Sequence, residues 1–339
     1  MSFIETHIEQ AFALDKTIPD HNEKFEHLAV ELFRYQASNN PVYKSFINHL
    51  GINPNQIATI QDIPFLPVEF FKSHKVITGN SNPSVIFHSS GTTSANTSKH
   101  YIIDEEVYHK SCIRSFEYFY GDLEEFIILG LLPSYLEQQN SSLIHMVRKF
   151  MEKSNNPQCD FFLDDHESLL DTLTTTLSNK KKLLIGVSYA LLDLVEKHDT
   201  QLRDLQDKES LIVMETGGMK GRRNEITRNE LHSILKSGFG IDQVHSEYGM
   251  TEILSQAYSQ ENGIYNCPPW MKILTRDLND PQILLEDNAT GGINIIDLAN
   301  VYSCSFIASQ DLGKCHKNGN FEVLGRFDTS DVRGCNLMV

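Results

Sequence analysis

The sequence has little positive charge for its size. Its 339 residues include 29 Lys and Arg against 45 Asp and Glu, which gives a formal net charge of −16. A general nucleic-acid binder needs a net basic face to release counterions from the phosphates. The composition therefore argues against that class of protein, although it leaves room for a local basic pocket that binds a nucleotide.

Long apolar runs, a basic leader and paired cysteines are also lacking. The longest apolar run, residues 126–132, is far shorter than the roughly 20 residues that span a bilayer. Glu5 and Glu9 occupy the stretch that would be basic in a signal peptide. The cysteines are scattered without a C-x-x-C pair, which is typical of reduced thiols; they are Cys112, Cys159, Cys267, Cys304, Cys315 and Cys335. We expect a cytoplasmic globular enzyme with no membrane span.

Short apolar runs alternate with helical patterns through the middle of the chain. The runs are FIILGLL (126–132), CDFFL (159–163), KLLIGV (182–187), LIVMETGG (211–218) and DQVHSEYG (242–249), with helices expected near 141–152, 166–178, 190–197 and 224–237. This alternation predicts βαβ units, and hence an α/β fold with a mainly parallel sheet flanked by helices. After Glu252, shorter strands with Asn-Gly and Gly-Gly turns predict a smaller antiparallel β-rich subregion.

A polar loop follows the first short strand pattern, SVIFH. It contains Ser89, Ser90, Gly91, Thr92 and Thr93. Hydroxyls and backbone N–H groups in such a turn can surround phosphate oxygens, and glycine lets the backbone approach closely. The loop is not a Walker A motif, since G-x-x-x-x-G-K-[ST] is absent. Composition alone fits a solvated Ser/Thr loop equally well.

Two later segments carry further nucleotide-binding chemistry. In Tyr248-Gly249-Met250-Thr251-Glu252, the aromatic ring can stack on a base, the hydroxyl can contact a phosphate and the carboxylate can hold Mg²⁺. In the segments containing Asp311 and Arg326, the carboxylate can accept bonds from ribose hydroxyls and the guanidinium can add a charge-assisted contact. Taken singly, each segment is also explained as an ordinary strand end or hairpin turn.

The order of these segments resembles the adenylate-forming superfamily of acyl-activating enzymes. A closer resemblance is to the acyl-protein synthetases of the bacterial bioluminescence fatty-acid reductase complex, and it covers most of the chain from about Ile63 onward. The segments that carry it are FHSSGTTS…SKHY (87–101), METGGMKGRR (214–223), HSEYGMTE (245–252), CPPWMK (267–272), IIDLANVYSCSFIASQDLG (295–313) and GRFDTSDVRGCNLMV (325–339).

The resemblance implies the large-domain fold of adenylate-forming enzymes, ATP and Mg²⁺ as cofactors, and a set of site residues. Ser89, Ser90, Gly91, Thr92 and Thr93 would hold ATP phosphates, Tyr248 the adenine, Thr251 the α-phosphate, Glu252 the Mg²⁺ ion, and Asp311 with Arg326 the ribose. Gly249 would be a further nucleotide-binding residue. Lys99 comes later than the usual loop lysine and is a candidate phosphate contact. Ser94 and Gln310 depart from the usual Gly and Thr.

The C-terminal segment implies an acyl acceptor. In the resembling family a cysteine near the C-terminus takes the acyl group as a thioester, and Cys335 occupies that position. Arg333 is close enough in sequence to favour its thiolate form. We therefore expect an adenylating domain over 1–325 and a mobile tail over 326–339, in place of the superfamily's usual small C-terminal domain. From the residues alone, Cys335 could equally be a terminal thiol with no role.

The expected function is ATP-dependent activation of a carboxylic acid, typically a fatty acid, followed by transfer to Cys335 and delivery to a protein partner such as a reductase or acyltransferase. Alternatives are an acyl-CoA-type ligase, an adenylate-dependent transferase to a small molecule and a non-catalytic nucleotide-binding scaffold. A fourth is a serine hydrolase, because Gly186-x-Ser188 resembles a nucleophile elbow with Asp297 and His316 following in order. The basic cluster Lys220, Arg222 and Arg223 is either solvated or attracts phosphate.

Overall fold

The computed structural model describes residues 2–89, 97–133, 140–175, 179–218, 223–224 and 226–327. These residues form two compact units, each with its own sheet. The first contains the chain up to Ser111, Met250–Ser255, and the chain from Asn266 onward, and the second contains Cys112–Gly249 and Gln256–Tyr265. Because 328–339 lie outside the described residues, the expected boundary at 325 stays a prediction.

The described α-helices follow the apolar periodicity of the sequence. They are α1 (Phe3–Phe12), α2 (His21–Asn39), α3 (Pro41–His49), α4 (Phe70–Ser73), α5 (Glu105–Tyr120), α6 (Ser142–Ser154), α7 (His166–Thr175), α8 (Ser188–Arg203) and α9 (Arg228–Phe239). Short 3₁₀ helices cover Pro54–Gln56, Ile60–Asp62, Leu123–Glu125 and Lys208–Ser210. Ser2 and Glu5 form a capping box that fixes the start of α1. In the part of the chain that is described, no helix is both long and apolar enough to span a membrane.

The strands are short, and five of the fourteen described overlap the five apolar runs of the sequence. They are β1 (Leu66–Pro67), β2 (Val85–His88), β3 (Lys99–Ile102), β4 (Phe126–Leu131), β5 (Asp160–Phe161), β6 (Lys181–Val187), β7 (Leu211–Thr216), β8 (His245–Tyr248), β9 (Ala257–Ser259), β10 (Ile264–Tyr265), β11 (Met271–Arg276), β12 (Thr290–Asp297), β13 (Phe306–Cys315) and β14 (Phe321–Arg326).

The sheet of the second unit has the order β5-β4-β6-β7-β8-β9. The first five strands are parallel, and β9 pairs antiparallel with β8. Helices α6 to α9 connect successive strands, and β4 is buried along its whole length, as expected for a parallel sheet covered on both faces. The predicted α/β fold with a mainly parallel, helix-flanked sheet is confirmed. Element bounds differ locally, since CDFFL contributes only Asp160–Phe161 and α8 begins two residues early, at Ser188.

The predicted antiparallel subregion after Glu252 is also confirmed, in the first unit. Strands β11, β12, β13 and β14 pair antiparallel in that order, and the short β1 runs parallel to β13. The register of β13 and β14 shifts between Leu312 and Gly313, and such an irregularity redirects the side chains around it. A separate antiparallel pair, β2 with β3, frames the Ser/Thr-rich loop.

Close packing of α8 and α9 predicts a stability effect at Gly238. A Cβ atom there would lie 2.1 Å from Cγ1 of Val195, which is far inside van der Waals contact. We expect Gly238→Ala to lower the free energy of unfolding by about 1–3 kcal/mol, because overpacking outweighs the gain in helix propensity. Guanidinium unfolding measures this change.

The double variant Val195→Ala/Gly238→Ala is the matched control. Truncating Val195 removes the atoms that would clash, so the double variant should be more stable than the sum of the two single changes predicts. A Gly238→Ala protein as stable as the wild type would contradict the packing argument.

Candidate functional site

The segment Tyr248–Glu252 is divided between the two units. Tyr248 ends β8, and it and Gly249 belong to the second unit, whereas Met250, Thr251 and Glu252 belong to the first. Residues 249–256 form neither helix nor strand. Their backbone groups therefore need partners from elsewhere in the fold.

Glu252 is a buried carboxyl group, only 5% exposed. Burial raises its pKa, while a hydrogen bond with the Ser98 side chain, a bond with its own backbone N–H and the charge of Arg326 oppose that rise. Asp311 adds to the rise, because two nearby carboxylates repel each other. The fold thus brings three of the predicted site residues, Glu252, Asp311 and Arg326, within electrostatic range of one another.

Asp311 and Arg326 face each other across the pair β13–β14. The Nε atom of Arg326 lies 3.3 Å from Oδ1 of Asp311, and the guanidinium is 74% exposed while the carboxylate is nearly buried. Gln310, which replaces the usual Thr, donates from Nε2 to Oε1 of Glu69 at 2.7 Å. The Asp311–Arg326 pair thus places a carboxylate and a guanidinium side by side at the same edge of β13 and β14.

The base of the Ser/Thr-rich loop is closed by two hydrogen bonds. The Ser89 N–H donates to the Ser98 carbonyl oxygen at 3.1 Å, and the Ser98 N–H donates to Ser89 Oγ at 2.9 Å. Lys99 begins β3 with its side chain exposed. The other loop candidates, Ser90, Gly91, Thr92 and Thr93, lie outside the described residues, so their role stays a prediction.

In the second unit, Tyr248 and Gly249 adjoin a buried acid. The Tyr248 ring is nearly buried and contacts the Tyr265 ring at 5.9 Å. A Cβ atom on Gly249 would lie 2.3 Å from Oε1 of Glu247, a carboxylate that also accepts a hydrogen bond from Thr216. A side chain at position 249 would therefore displace the Glu247 carboxylate, a buried acid that sequence reasoning did not single out.

Glu215 is a second buried acid that sequence reasoning missed, at the carboxyl end of β7. Burial opposes its ionisation, yet His232, Arg228 and Ser246 together hold its pKa below the usual value. Arg228 Nε and His232 Nε2 lie 3.5 and 3.6 Å from its Oε1 atom. The sequence feature that could have identified Glu215 is its place at the end of an otherwise apolar strand. The ligand sites of α/β sheets lie at the carboxyl ends of their strands.

The serine-hydrolase interpretation lacks its catalytic arrangement. Ser188 Oγ lies 2.8 Å from the Gly217 carbonyl oxygen and 3.2 Å from Glu215 Oε2, so the hydroxyl supports the turn after β7. Asp297 accepts hydrogen bonds from Leu254, Ser255 and Ala299. His316 instead bonds Asn288 and Glu322, so this aspartate and this histidine are not a pair.

Arg223 forms ion pairs within the second unit. Its guanidinium donates to both carboxylate oxygens of Glu196 at 2.7 Å, and also to Asp193. These contacts favour a structural role over phosphate binding for Arg223. The other two members of the basic cluster, Lys220 and Arg222, lie outside the described residues.

The five described cysteines are free thiols, and four of them are buried. Burial raises the pKa of Cys112, Cys267, Cys304 and Cys315 to about 12 in each case. Cys159 is half-buried, and its sulfur accepts a bond from the Ile128 N–H at 3.1 Å. Cys335 lies outside the described residues.

A protein-family model covers nearly the whole chain. Residues 4–339 match the family model described as "Acyl-protein synthetase, LuxE". The chain belongs to the LuxE acyl-protein synthetase family. A comparison with curated protein sequences gives no match.

Several solved structures share this fold at low sequence identity. The ATP-bound RpMatB-BxBclM chimera B1 gives a TM-score of 0.54 at 16% identity, over 71% of this chain and 47% of the other. ATP-bound MatB from Rhodopseudomonas palustris gives 0.52 at 16%, over 71% and 47%. 2-Hydroxyisobutyryl-CoA ligase with 2-HIB-AMP gives 0.66 at 12%, over 91% and 70%. The chain thus spans about half the length of the first two, and the likeness establishes the fold of this LuxE-family chain.

Proposed function

We propose that this chain activates a fatty acid with ATP and then carries the acyl group on Cys335 as a thioester. The observation that carries the proposal is the match to the acyl-protein synthetase family over residues 4–339. The grouping of Glu252, Asp311 and Arg326 in the first unit supports it. A protein partner, a reductase or an acyltransferase, would collect the acyl group.

In the first step, a carboxylate oxygen of the fatty acid attacks the α-phosphorus of ATP. A new P–O bond forms as the bond between the α-phosphorus and the bridging oxygen breaks, and pyrophosphate leaves with that electron pair. The protein contributes positioning and charge neutralisation. In the first unit, Asp311 and Arg326 orient the ribose and Thr251 holds the α-phosphate.

Glu252 suits a Mg²⁺ ion that arrives with the nucleotide. Mg²⁺ is commonly held by one or two carboxylates, with phosphate oxygens and water completing its shell. Among the residues described, no cluster of three or more His, Cys, Asp or Glu side chains could hold a metal by itself, which fits a shell completed by ATP. When bound, Mg²⁺ would neutralise charge on the phosphates. A cation beside Glu252 would also offset the burial that raises the pKa of its carboxyl group.

In the second step, the Cys335 thiol first loses its proton to solvent. The thiolate sulfur then attacks the acyl carbonyl carbon, a C–S bond forms, and the C–O bond to the phosphate breaks as AMP leaves. Four of the five described cysteines are poor alternatives, since burial raises the pKa of each to about 12. Free thiols throughout the described chain also favour a reducing compartment, the cytoplasm.

Intact-mass spectrometry tests the proposal directly. The protein is incubated with ATP, Mg²⁺ and saturated fatty acids of different chain lengths. We expect a mass increase equal to the acid minus water, dependent on ATP and reversed by hydroxylamine, which cleaves thioesters. Omission of ATP is the control.

Two other outcomes would contradict the proposal. Pyrophosphate exchange without a mass increase, together with formation of acyl-CoA when CoA is added, would identify an acyl-CoA-type ligase instead. Nucleotide binding without exchange for any acid would identify a non-catalytic scaffold.

A further inference from the structure

Three buried side chains of the first unit bond the backbone of Thr251–Ser255. His100 Nδ1 lies 2.7 Å from the Thr251 carbonyl oxygen, and Asn300 Nδ2 donates to the Glu252 carbonyl oxygen at 2.9 Å. Asp297 Oδ2 accepts from the N–H groups of Leu254 and Ser255 at 2.8 and 3.0 Å. Together, His100, Asn300 and Asp297 are called the backbone clamp below.

The clamp is itself rigid. His100, Asn300 and Asp297 are each no more than 1% exposed. Asn300 also donates to the Cys304 carbonyl oxygen at 2.9 Å. Asp297 accepts further bonds from the Ser255 hydroxyl and the Ala299 N–H. A side chain with several buried partners has few other orientations, so it holds the backbone it bonds in one place.

The hydrogen bond with Thr251 also determines the state of His100. A carbonyl oxygen can only accept, so Nδ1 carries the proton and donates it. Burial lowers the pKa of His100 to about 4, which keeps the ring neutral at physiological pH. The ring also contacts Phe71 edge-on at 5.8 Å, and this contact limits its rotation.

We infer that His100 and Asn300 are positioning residues for the Glu252 carboxylate. They bond the carbonyl groups of Thr251 and Glu252, which flank the Cα atom of Glu252, and so they set the direction in which its side chain leaves the backbone. This inference rests on the proposed role of Glu252 toward a Mg²⁺–nucleotide. A displacement of about 1 Å at such a group can cost a hundredfold in rate.

His100→Leu and His100→Asn separate positioning from packing. Leu fills the space without a donor, whereas Asn carries an N–H at the position of Nδ1. Calorimetry with α,β-methylene-ATP, in Mg²⁺ and in EDTA, measures how much Mg²⁺ strengthens nucleotide binding. For His100→Leu, we expect the ratio of nucleotide affinity in Mg²⁺ to that in EDTA to fall about tenfold, while the affinity in EDTA itself stays unchanged. His100→Asn should retain most of this ratio. His27→Leu, at an exposed position of α2, is the matched control.

A double-mutant cycle with Glu252→Gln completes the test. Once the carboxylate is gone there is nothing left to position, so His100→Leu should have no further effect in that background. Equal behaviour of Leu and Asn at position 100, or additive effects in the cycle, would overturn the inference. If His100→Leu does not fold, Asn300→Ala replaces it in the same cycle, because it removes the donor to the Glu252 carbonyl oxygen.

Failure of the proposed function would give a different pattern. Absence of pyrophosphate exchange with every acid, together with the binding results expected above, would reject fatty-acid adenylation and keep the backbone clamp. If Mg²⁺ does not change the nucleotide affinity of the wild-type protein, the inference that His100 and Asn300 position Glu252 for the metal is overturned, whether or not exchange occurs.

Discussion

Glu252→Gln should lower the rate of ATP–pyrophosphate exchange by about 10²–10³-fold, the equivalent of roughly 3–4 kcal/mol in the transition state. Gln has nearly the same shape and can still accept the hydrogen bond from Ser98. The substitution therefore removes the negative charge and little else. Exchange of radiolabelled pyrophosphate into ATP, with an acid found active by mass spectrometry, measures the effect.

The same substitution should not destabilise the protein without nucleotide. Burial raises the pKa of Glu252, so the folded state binds its proton more tightly than the unfolded state does. The pKa of this carboxyl group in the unfolded state is near 4.5. Above that pH, the difference in proton binding between the two states lowers the free energy of unfolding as the pH rises. At pH 7–8, Glu252→Gln should therefore be at least as stable as the wild type, with the advantage disappearing as the pH falls toward 4.5.

Glu9→Gln is the matched control, because it removes the same charge at an exposed position of α1. It should leave both exchange and stability near the wild-type values. Exchange by Glu252→Gln within about threefold of wild type would be too small a loss of transition-state stabilisation for a metal-holding carboxylate, and would remove Glu252 from the proposed mechanism.

Cys335→Ala should abolish the hydroxylamine-sensitive acyl-enzyme and leave pyrophosphate exchange intact. Exchange needs only the first step, whereas the thioester needs a nucleophilic sulfur. Intact-mass spectrometry and an exchange assay on the same preparation measure the two steps separately.

Cys159→Ala is the control for this experiment. Among the five described thiols, only Cys159 is partly exposed to solvent. It is therefore the described cysteine best able to accept an acyl group in place of Cys335. The Cys159→Ala protein should keep the acyl-enzyme. If Cys335→Ala still forms the thioester, Cys335 is not the acceptor. If Cys159→Ala no longer forms the thioester, Cys159 is the acceptor instead.

Local patterns in the sequence predicted most of the fold of the second unit. The runs at 126–132, 182–187 and 211–218 became β4, β6 and β7, because consecutive apolar residues suit a parallel strand that is buried on both faces. Asp311 and Arg326 were predicted as ribose contacts from their residue types and the order of the motifs, and that role stays a prediction. The bounds of α8 were less predictable, because tertiary packing overrides local signals at helix ends.

The sequence by itself determined the order of strands and helices, the family resemblance and the presence of a cysteine close to its C-terminal end. Only the tertiary structure decided that Glu252 is buried beside Asp311, that His100 and Asn300 bond the backbone around it, and that four thiols have pKa values raised to about 12. Periodicity reports contacts between near neighbours in the chain. His100 and Thr251 are 151 positions apart, and no local pattern records a hydrogen bond to a distant backbone carbonyl or the desolvation of a distant side chain.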